Sequence, residues 1–321
     1  MYDKFFGFTG TPFRRHSDPR FFYSTSSYAQ AYADILNNIH QHQALIFLTG
    51  AAGTGKTLLL RQCAASFAAQ RSIRVVQIKD TYLSFENILD QFCEQLNFKL
   101  TDQDYGQKAH TFQGYLYACL RQGKTAVLLI DDAHKLASGV VRSLMQLAQT
   151  PKLDLPLFQM IFFGLPGLNT KFRDVKTVRL SLNPLKMFEI DNFIQWQLKQ
   201  AGCKRQNIFS PQALQRISWY SRGRPRTINT LCDTALFFAY LESNHVVSAD
   251  LIEQAAQRTV MVSVPKFPTV IEGQAIQAVE TARREAPQLR IVASADQTNV
   301  EALSDASKKS AWFKKAQRLQ T

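Results

Sequence analysis

The sequence predicts an α/β protein, a doubly wound parallel sheet followed by a small all-helical unit. Three observations carry that expectation. Short apolar runs alternate with amphipathic helical stretches between residues 44 and 182, a glycine-rich loop joins the first run to a helix, and strand signals stop at Pro184.

Taken in order, Ser27–Asn38 has helical spacing and leads into the apolar run Ala44–Thr49, the first strand. After the glycine loop, Leu58–Ala64 is helical, and the β-branched run Ile73–Ile78 is the second strand. Phe85–Leu96 and His110–Gln122 read as helices. Ala126–Ile130 is continuously apolar, as a strand buried on both faces should be, and it ends in two carboxylates. Val140–Ala148 is helical, Phe158–Phe163 is a buried strand stopped by Gly164, and Val178–Leu182 is a short last strand. Helical spacing then takes over in Phe188–Gln200, Ser210–Tyr220, Arg226–Glu242 and Ser248–Arg258. Ser210-Pro211 and Ser248 are the expected caps. Within the third of these, Ala235–Leu241 is too short to span a bilayer and reads as buried helix.

The expected domains are therefore an N-terminal segment (1–40), a nucleotide-binding core (41–183), a helical lid (184–260) and a basic tail of low order (261–321). The first forty residues, with Thr11-Pro12-Phe13 and Phe21-Phe22-Tyr23, are apolar enough to pack against the core. The tail opens on Val264-Pro265-Lys266-Phe267-Pro268, has helical propensity near Glu280 and Glu301, and ends in Lys308-Lys309-Ser310-Ala311-Trp312-Phe313-Lys314-Lys315.

The chain has 321 residues, 45% of them hydrophobic, which suffices for two packed domains. Neither a signal peptide nor a membrane-spanning run is read from it. The five cysteines are scattered without a C-x-x-C pair, so reduced thiols in a cytoplasmic protein are expected and a metal cluster is not. A formal net charge of +13 suits a polyanionic partner, DNA or an anionic membrane surface, or simply a well-solvated exterior.

The chemistry concentrates in Gly50-Ala51-Ala52-Gly53-Thr54-Gly55-Lys56-Thr57, a G-x-x-x-x-G-K-[ST] run in strand–loop–helix context. Backbone N–H groups from Gly50 to Leu58, together with the helix N-terminus, would cradle the phosphates of a nucleoside triphosphate. Lys56 would reach the β- and γ-phosphates, while Thr57 and Asp131 would hold Mg²⁺. Asp132 is the candidate to polarise the attacking water. Gly223-Arg224-Pro225-Arg226 opens a lid helix, and Pro225 in its first turn would aim Arg226 at the γ-phosphate.

Together these residues resemble the AAA+ ATPases of the general secretion pathway component A (ExeA/GspA) group, with the TniB/MuB-like transposition ATPases as neighbours. Met1-Tyr2, Phe5-Phe6-Gly7, Pro12-Phe13 and Asp18-Pro19-Arg20-Phe21 are similar to the group's N-terminal signature near the adenine pocket. Gly223-x-Pro225-Arg226-x-x-Asn229-x-Leu231-Cys232-Asp233-x-Ala235-Leu236 resembles its sensor-2 helix. The resemblance implies a RecA-like P-loop core with a helical lid, Mg²⁺-dependent ATP hydrolysis and nucleotide-driven homo-oligomers. It also implies that Arg173 acts as a finger onto a neighbouring subunit. Three positions depart from the group: Asp132 replaces a glutamate, Leu165 a glutamine, and Val175 a second arginine.

Three functions follow as expectations. The first is a cytoplasmic ATPase, or one peripheral to the inner membrane, that assembles or remodels a secretion- or pilus-type complex. The second is an ATP-dependent DNA-binding transposition or targeting regulator, and the third a weakly hydrolysing nucleotide switch.

Overall fold

The computed structural model describes residues 2–13, 23–99, 105–149, 155–205 and 207–259. The expected tail and the Asp18–Phe21 part of the N-terminal signature lie outside the described residues.

The element order is α1 (Tyr2–Phe6), α2 (Ser26–His40), β1 (Leu45–Thr49), α3 (Lys56–Ala68), β2 (Ile73–Ile78), α4 (Phe85–Gln95), α5 (Tyr105–Arg121) and β3 (Thr125–Ile130). A 3₁₀ turn (Ala133–Lys135) follows, then α6 (Ser138–Ala148), β4 (Phe158–Gly164), α7 (Gly167–Lys171), β5 (Val178–Ser181), α8 (Met187–Gln200), α9 (Pro211–Ser221), α10 (Pro225–Leu241) and α11 (Ala249–Thr259). Every strand pairing is parallel, in the order β2-β3-β4-β1-β5. The sheet is doubly wound, and β1 lies between β4 and β5.

Strand alternation sorts the apolar side chains onto two faces. On one, Leu45 and Phe47 of β1 join Val76, Leu128, Phe158 and Phe162 beneath α4, α5 and α6, where Phe92, Phe112 and Leu144 are fully buried. On the other, Ile46 and Leu48 join Val127, Leu129 and Ile161 beneath α2 and α3 through Ile35, Leu59 and Phe67. With both faces covered, β1 and β4 are buried at every position, which is why they read as unbroken apolar runs.

The four last helices share a third core around Ile194, Ile217, Leu231, Leu236 and Ile252. The expected caps are present: the Ser210 hydroxyl accepts the Ala213 N–H at 3.1 Å, and that of Ser248 accepts Leu251 N–H at 3.4 Å. Within α10 the run Ala235–Leu241 is buried on one side only. Phe237 and Leu241 are exposed, because α9 and α11 cover the opposite face.

The packing expected of the first forty residues divides. Helix α2 lies on the sheet, but Tyr2, Phe6, Phe8 and Phe13 enter the core of the helical group. The Tyr2 hydroxyl donates to the Asp233 carboxylate on α10. Burial, then that bond, raise the pKa of the Tyr2 phenol, so it stays protonated as a donor. Thr9 N–H donates to Ala201 O at 2.8 Å, seated against Gly202, where any Cβ would meet the Thr9 side chain.

Candidate functional site

The site forms where the C-terminal ends of β1, β3 and β4 come together, the edge at which ligands sit in open α/β sheets. The loop after β1 takes positive φ at Gly53 (+82°) and Gly55 (+106°), which only glycine adopts freely, and Gly55 then opens α3. Gly50 is fixed by contact as well, since a Cβ there would lie 2.6 Å from Leu182 O. Ala51, Ala52, Thr54 and Leu58 complete the run; the Thr54 hydroxyl donates to Ala51 O at 3.0 Å and braces the turn.

Lys56, the first residue of α3, is nearly buried. Its Nζ donates to Gly50 O at 2.8 Å and to Ala51 O at 2.9 Å, so the ammonium sits inside the loop. Burial pushes its pKa below the ordinary lysine value, while Asp131 and Asp132 pull it back up. Thr57 Oγ1 donates to Asp131 Oδ2 at 2.6 Å, a contact that joins α3 to the end of β3 across 74 residues. The other oxygen, Asp131 Oδ1, accepts the Asp132 N–H at 2.9 Å, which fixes the carboxylate. A hydroxyl and a carboxylate side by side are the hard oxygen donors Mg²⁺ prefers, so these two residues fit that ion.

Asp132 itself turns away into a surface pair. Its backbone is left-handed (φ +49°), which aspartate tolerates, and Oδ2 accepts from Lys135 Nζ at 2.9 Å. The hydrogen bond from Lys135 holds the carboxyl below its usual pKa despite partial burial. Lys135 Nζ also stands 5.9 Å from the ring centre of the exposed Tyr82.

Arg226 comes to the loop from the helical group. Its N–H donates to Gly53 O at 3.2 Å, and its Cβ would stand only 2.9 Å from a Cβ on Gly53. Pro225 opens α10, and the preceding turn depends on Gly223 (φ +69°), where a Cβ would strike Leu185 O. Arg173, by contrast, is exposed on the turn after α7. That turn is rigid: Phe172 is buried against Phe47, and Arg179 Nη2 donates to the carbonyls of Phe172 (3.0 Å), Arg173 (3.1 Å) and Val175 (3.3 Å).

Sequence reasoning passed over Lys135, Arg179 and Asn169. The i, i+3 spacing of Asp132 and Lys135 was the only local sign of that pair. Arg179 bonds carbonyls only four to seven residues before it, whereas Asn169 gains Thr49 across 120 residues through tertiary folding.

This combination of glycine loop, strand order and helical group defines a P-loop ATPase of the AAA+ type. Residues 39–172 match the AAA domain family model, and the fold around them is that of AAA+ ATPases. General secretion pathway protein A of Aeromonas hydrophila is 30% identical over 262 residues, covering 78% of this chain and 47% of that protein. The chain thus spans about half the length of this curated relative. Among solved structures, Cdc6p from Pyrobaculum aerophilum aligns with a TM-score of 0.56 at 17% identity, covering 81% of this chain and 72% of that one. Drosophila ORC bound to DNA aligns with a TM-score of 0.56 at 16% identity, covering 79% and 67% respectively. At such identities these two share the fold.

Among the described residues no helix is long and apolar enough to cross a membrane, and no cluster of three or more His, Cys, Asp or Glu side chains could hold a metal ion. The cysteines are all free thiols.

Proposed function

We propose that the chain hydrolyses ATP and uses the cycle to assemble or remodel a secretion- or pilus-type protein complex, as a nucleotide-dependent homo-oligomer. The observation that carries the ATP site is the Thr57–Asp131 contact, which closes the glycine loop onto the end of β3. Similarity to a general secretion pathway protein supports the choice of partner.

In this reading the loop from Gly50 to Leu58 binds the phosphates, and Lys56 leaves its carbonyl partners for the β- and γ-oxygens. Thr57 and Asp131 would hold Mg²⁺, which would supply charge neutralisation to the phosphates. Asp132 takes the proton from the attacking water once it is released from Lys135. Arg226 follows the γ-phosphate from Gly53 and transmits its loss to α10. Arg173, carried on its rigid turn, reaches the nucleotide of a neighbouring copy. The catalytic work is positioning and electrostatics.

Steady-state turnover and nucleotide binding of Lys56→Ala test the site. Turnover at background level is expected; a rate equal to the parent protein's would remove Lys56 from the role.

One observation favours a second reading, ATP-dependent binding to DNA: the net charge of +13. Phosphate contacts release counterions, so such binding falls steeply with salt. Titrating double-stranded DNA with and without ATP across a salt series separates the two readings. Binding that requires ATP and survives physiological ionic strength establishes the DNA reading. Its absence leaves the protein-complex reading, with the charge serving an anionic membrane surface or solubility.

A further inference from the structure

Strand β2 is the outer strand of the sheet beyond β3, so one side of its backbone has no neighbouring strand. One bond fixes which residues face that side. Ser72 O accepts the Thr125 N–H at 2.8 Å, so Ser72, Arg74 and Val76 turn their backbone groups toward β3, while Ile73, Val75 and Gln77 turn theirs outward. Part of this free edge is already answered. The Ile73 N–H donates to Gln70 O at 3.1 Å. At Gln77 the side-chain amide of Gln95, on α4, does what a strand residue would do. Gln77 N–H donates to Gln95 Oε1 at 3.0 Å, and Gln95 Nε2 donates to Gln77 O at 3.0 Å. Gln95 is exposed, so this amide is a plug that a real strand can displace. Val75 stands between the two, and among the described residues nothing bonds its outward N–H and C=O.

The start of the same edge is basic. The Ser72–Thr125 bond holds the turn before β3 beside the start of β2, which brings Arg121 and Lys124 to the same end of the sheet as Arg71 and Arg74. Neither 71–79 nor 121–130 contains an Asp or Glu. Arg71, Arg74 and Arg121 are exposed, and no carboxylate of the described residues pairs with any of the four cations. Lys124 Nζ donates to the neutral Gln122 Oε1 at 3.3 Å, which leaves its charge uncompensated. The exposed Glu94, next to Gln95, belongs to the other end of the strand.

We propose that the free edge of β2 takes an extended, acidic segment of a partner protein as an added strand. The segment pairs with Val75, displaces the Gln95 amide from Gln77, and sets its carboxylates beside Arg71, Arg74, Arg121 and Lys124. The edge offers N–H and C=O in turn, and a peptide backbone returns both, whereas the phosphate backbone of a nucleic acid has acceptors alone. The four cations then select acidic sequences among the peptides that could pair. All the strands are parallel, so this basic end lies at their N-terminal ends, away from the nucleotide loop that follows β1. The surface is therefore independent of the ATP site proposed above.

The test is fluorescence anisotropy of the full chain with a labelled peptide of alternating Glu and Val. A copy methylated at its backbone nitrogens retains the charge and loses the donors. The first peptide is expected to bind, and the methylated copy to bind about tenfold more weakly. Val75→Pro removes an outward N–H at a position where an edge strand tolerates proline, and should weaken binding about fivefold. The combined Arg71→Glu, Arg74→Glu and Lys124→Glu variant should weaken it about tenfold at low salt. Gln95→Ala, which clears Gln77, should tighten it. Unfolding midpoints equal to the parent's show that the variants are folded, and the two peptides on the parent protein decide the matter without any variant. Absence of peptide binding overturns the proposal. Equal binding of the two peptides does so as well, since it means capture by charge without strand pairing. Double-stranded DNA that displaces the peptide, and binds Val75→Pro as well as the parent, would make the four cations a phosphate-binding surface instead.

Discussion

Asp132 meets a cation before it meets a substrate. The hydrogen bond from Lys135 lowers the pKa of the carboxyl, and a carboxylate so held is a weaker base. Replacing Lys135 by Met should raise the pKa of Asp132 toward its ordinary value. In the pH–rate profile the acidic limb should then move to higher pH and the plateau should rise; an unmoved limb assigns the water to another group. Asp132→Glu, which adds one methylene of reach past the same lysine, should maintain or raise turnover in the same assay. Loss of turnover there would remove Asp132 from the role of base. As an exposed pair, the Asp132–Lys135 bond contributes little to folding, so both substitutions should leave unfolding midpoints nearly unchanged.

Between elements, Glu189 is the joint to watch. It caps α8 by accepting Lys186 N–H at 2.9 Å, and it also accepts the Ser26 hydroxyl at 2.9 Å and the Ser26 N–H at 3.3 Å, tying α2 to the helical group. Burial alone would raise its pKa, but these donors win and lower it. A folded-state pKa below the unfolded one gives stability that is present above the ordinary carboxylate range and lost as pH falls through the folded value. Glu189→Ala should therefore cost about 1–3 kcal/mol by urea unfolding at neutral pH. The deficit should shrink in acid, where the parent protein loses the same bonds. A deficit independent of pH would make the contribution one of packing.

For the whole molecule, assembly is the quantity to measure. The turn that carries Arg173 is anchored by Phe172 and Arg179, so its exposed guanidinium is presented at little cost in conformational entropy. Arg173→Ala should lower turnover while leaving nucleotide affinity unchanged. Mixed with Lys56→Ala subunits, it should recover activity, because each variant supplies what the other lacks. A mixture no more active than the sum of its parts would confine the site to one chain.

Much of this architecture was legible in the residues. All five strands and the longer helices announce themselves through apolar periodicity, a property of neighbouring residues that no distant contact can alter. The glycine loop and Asp131 are equally local, since φ-permissive residues and a carboxylate ending a buried strand carry their meaning in spacing. The five-residue helices α1 and α7 escaped because each is too short to show a helical period. What the chain by itself determined was thus the class of fold and the chemistry of its loop. Only the tertiary structure decided that Tyr2 and Phe6 belong to the helical group, and that Asn169 stands beside Thr49. The pairs across Gly53–Arg226 and Thr49–Asn169 are separated by more than a hundred residues, so the sheet order and its crossovers, not sequence spacing, bring them together.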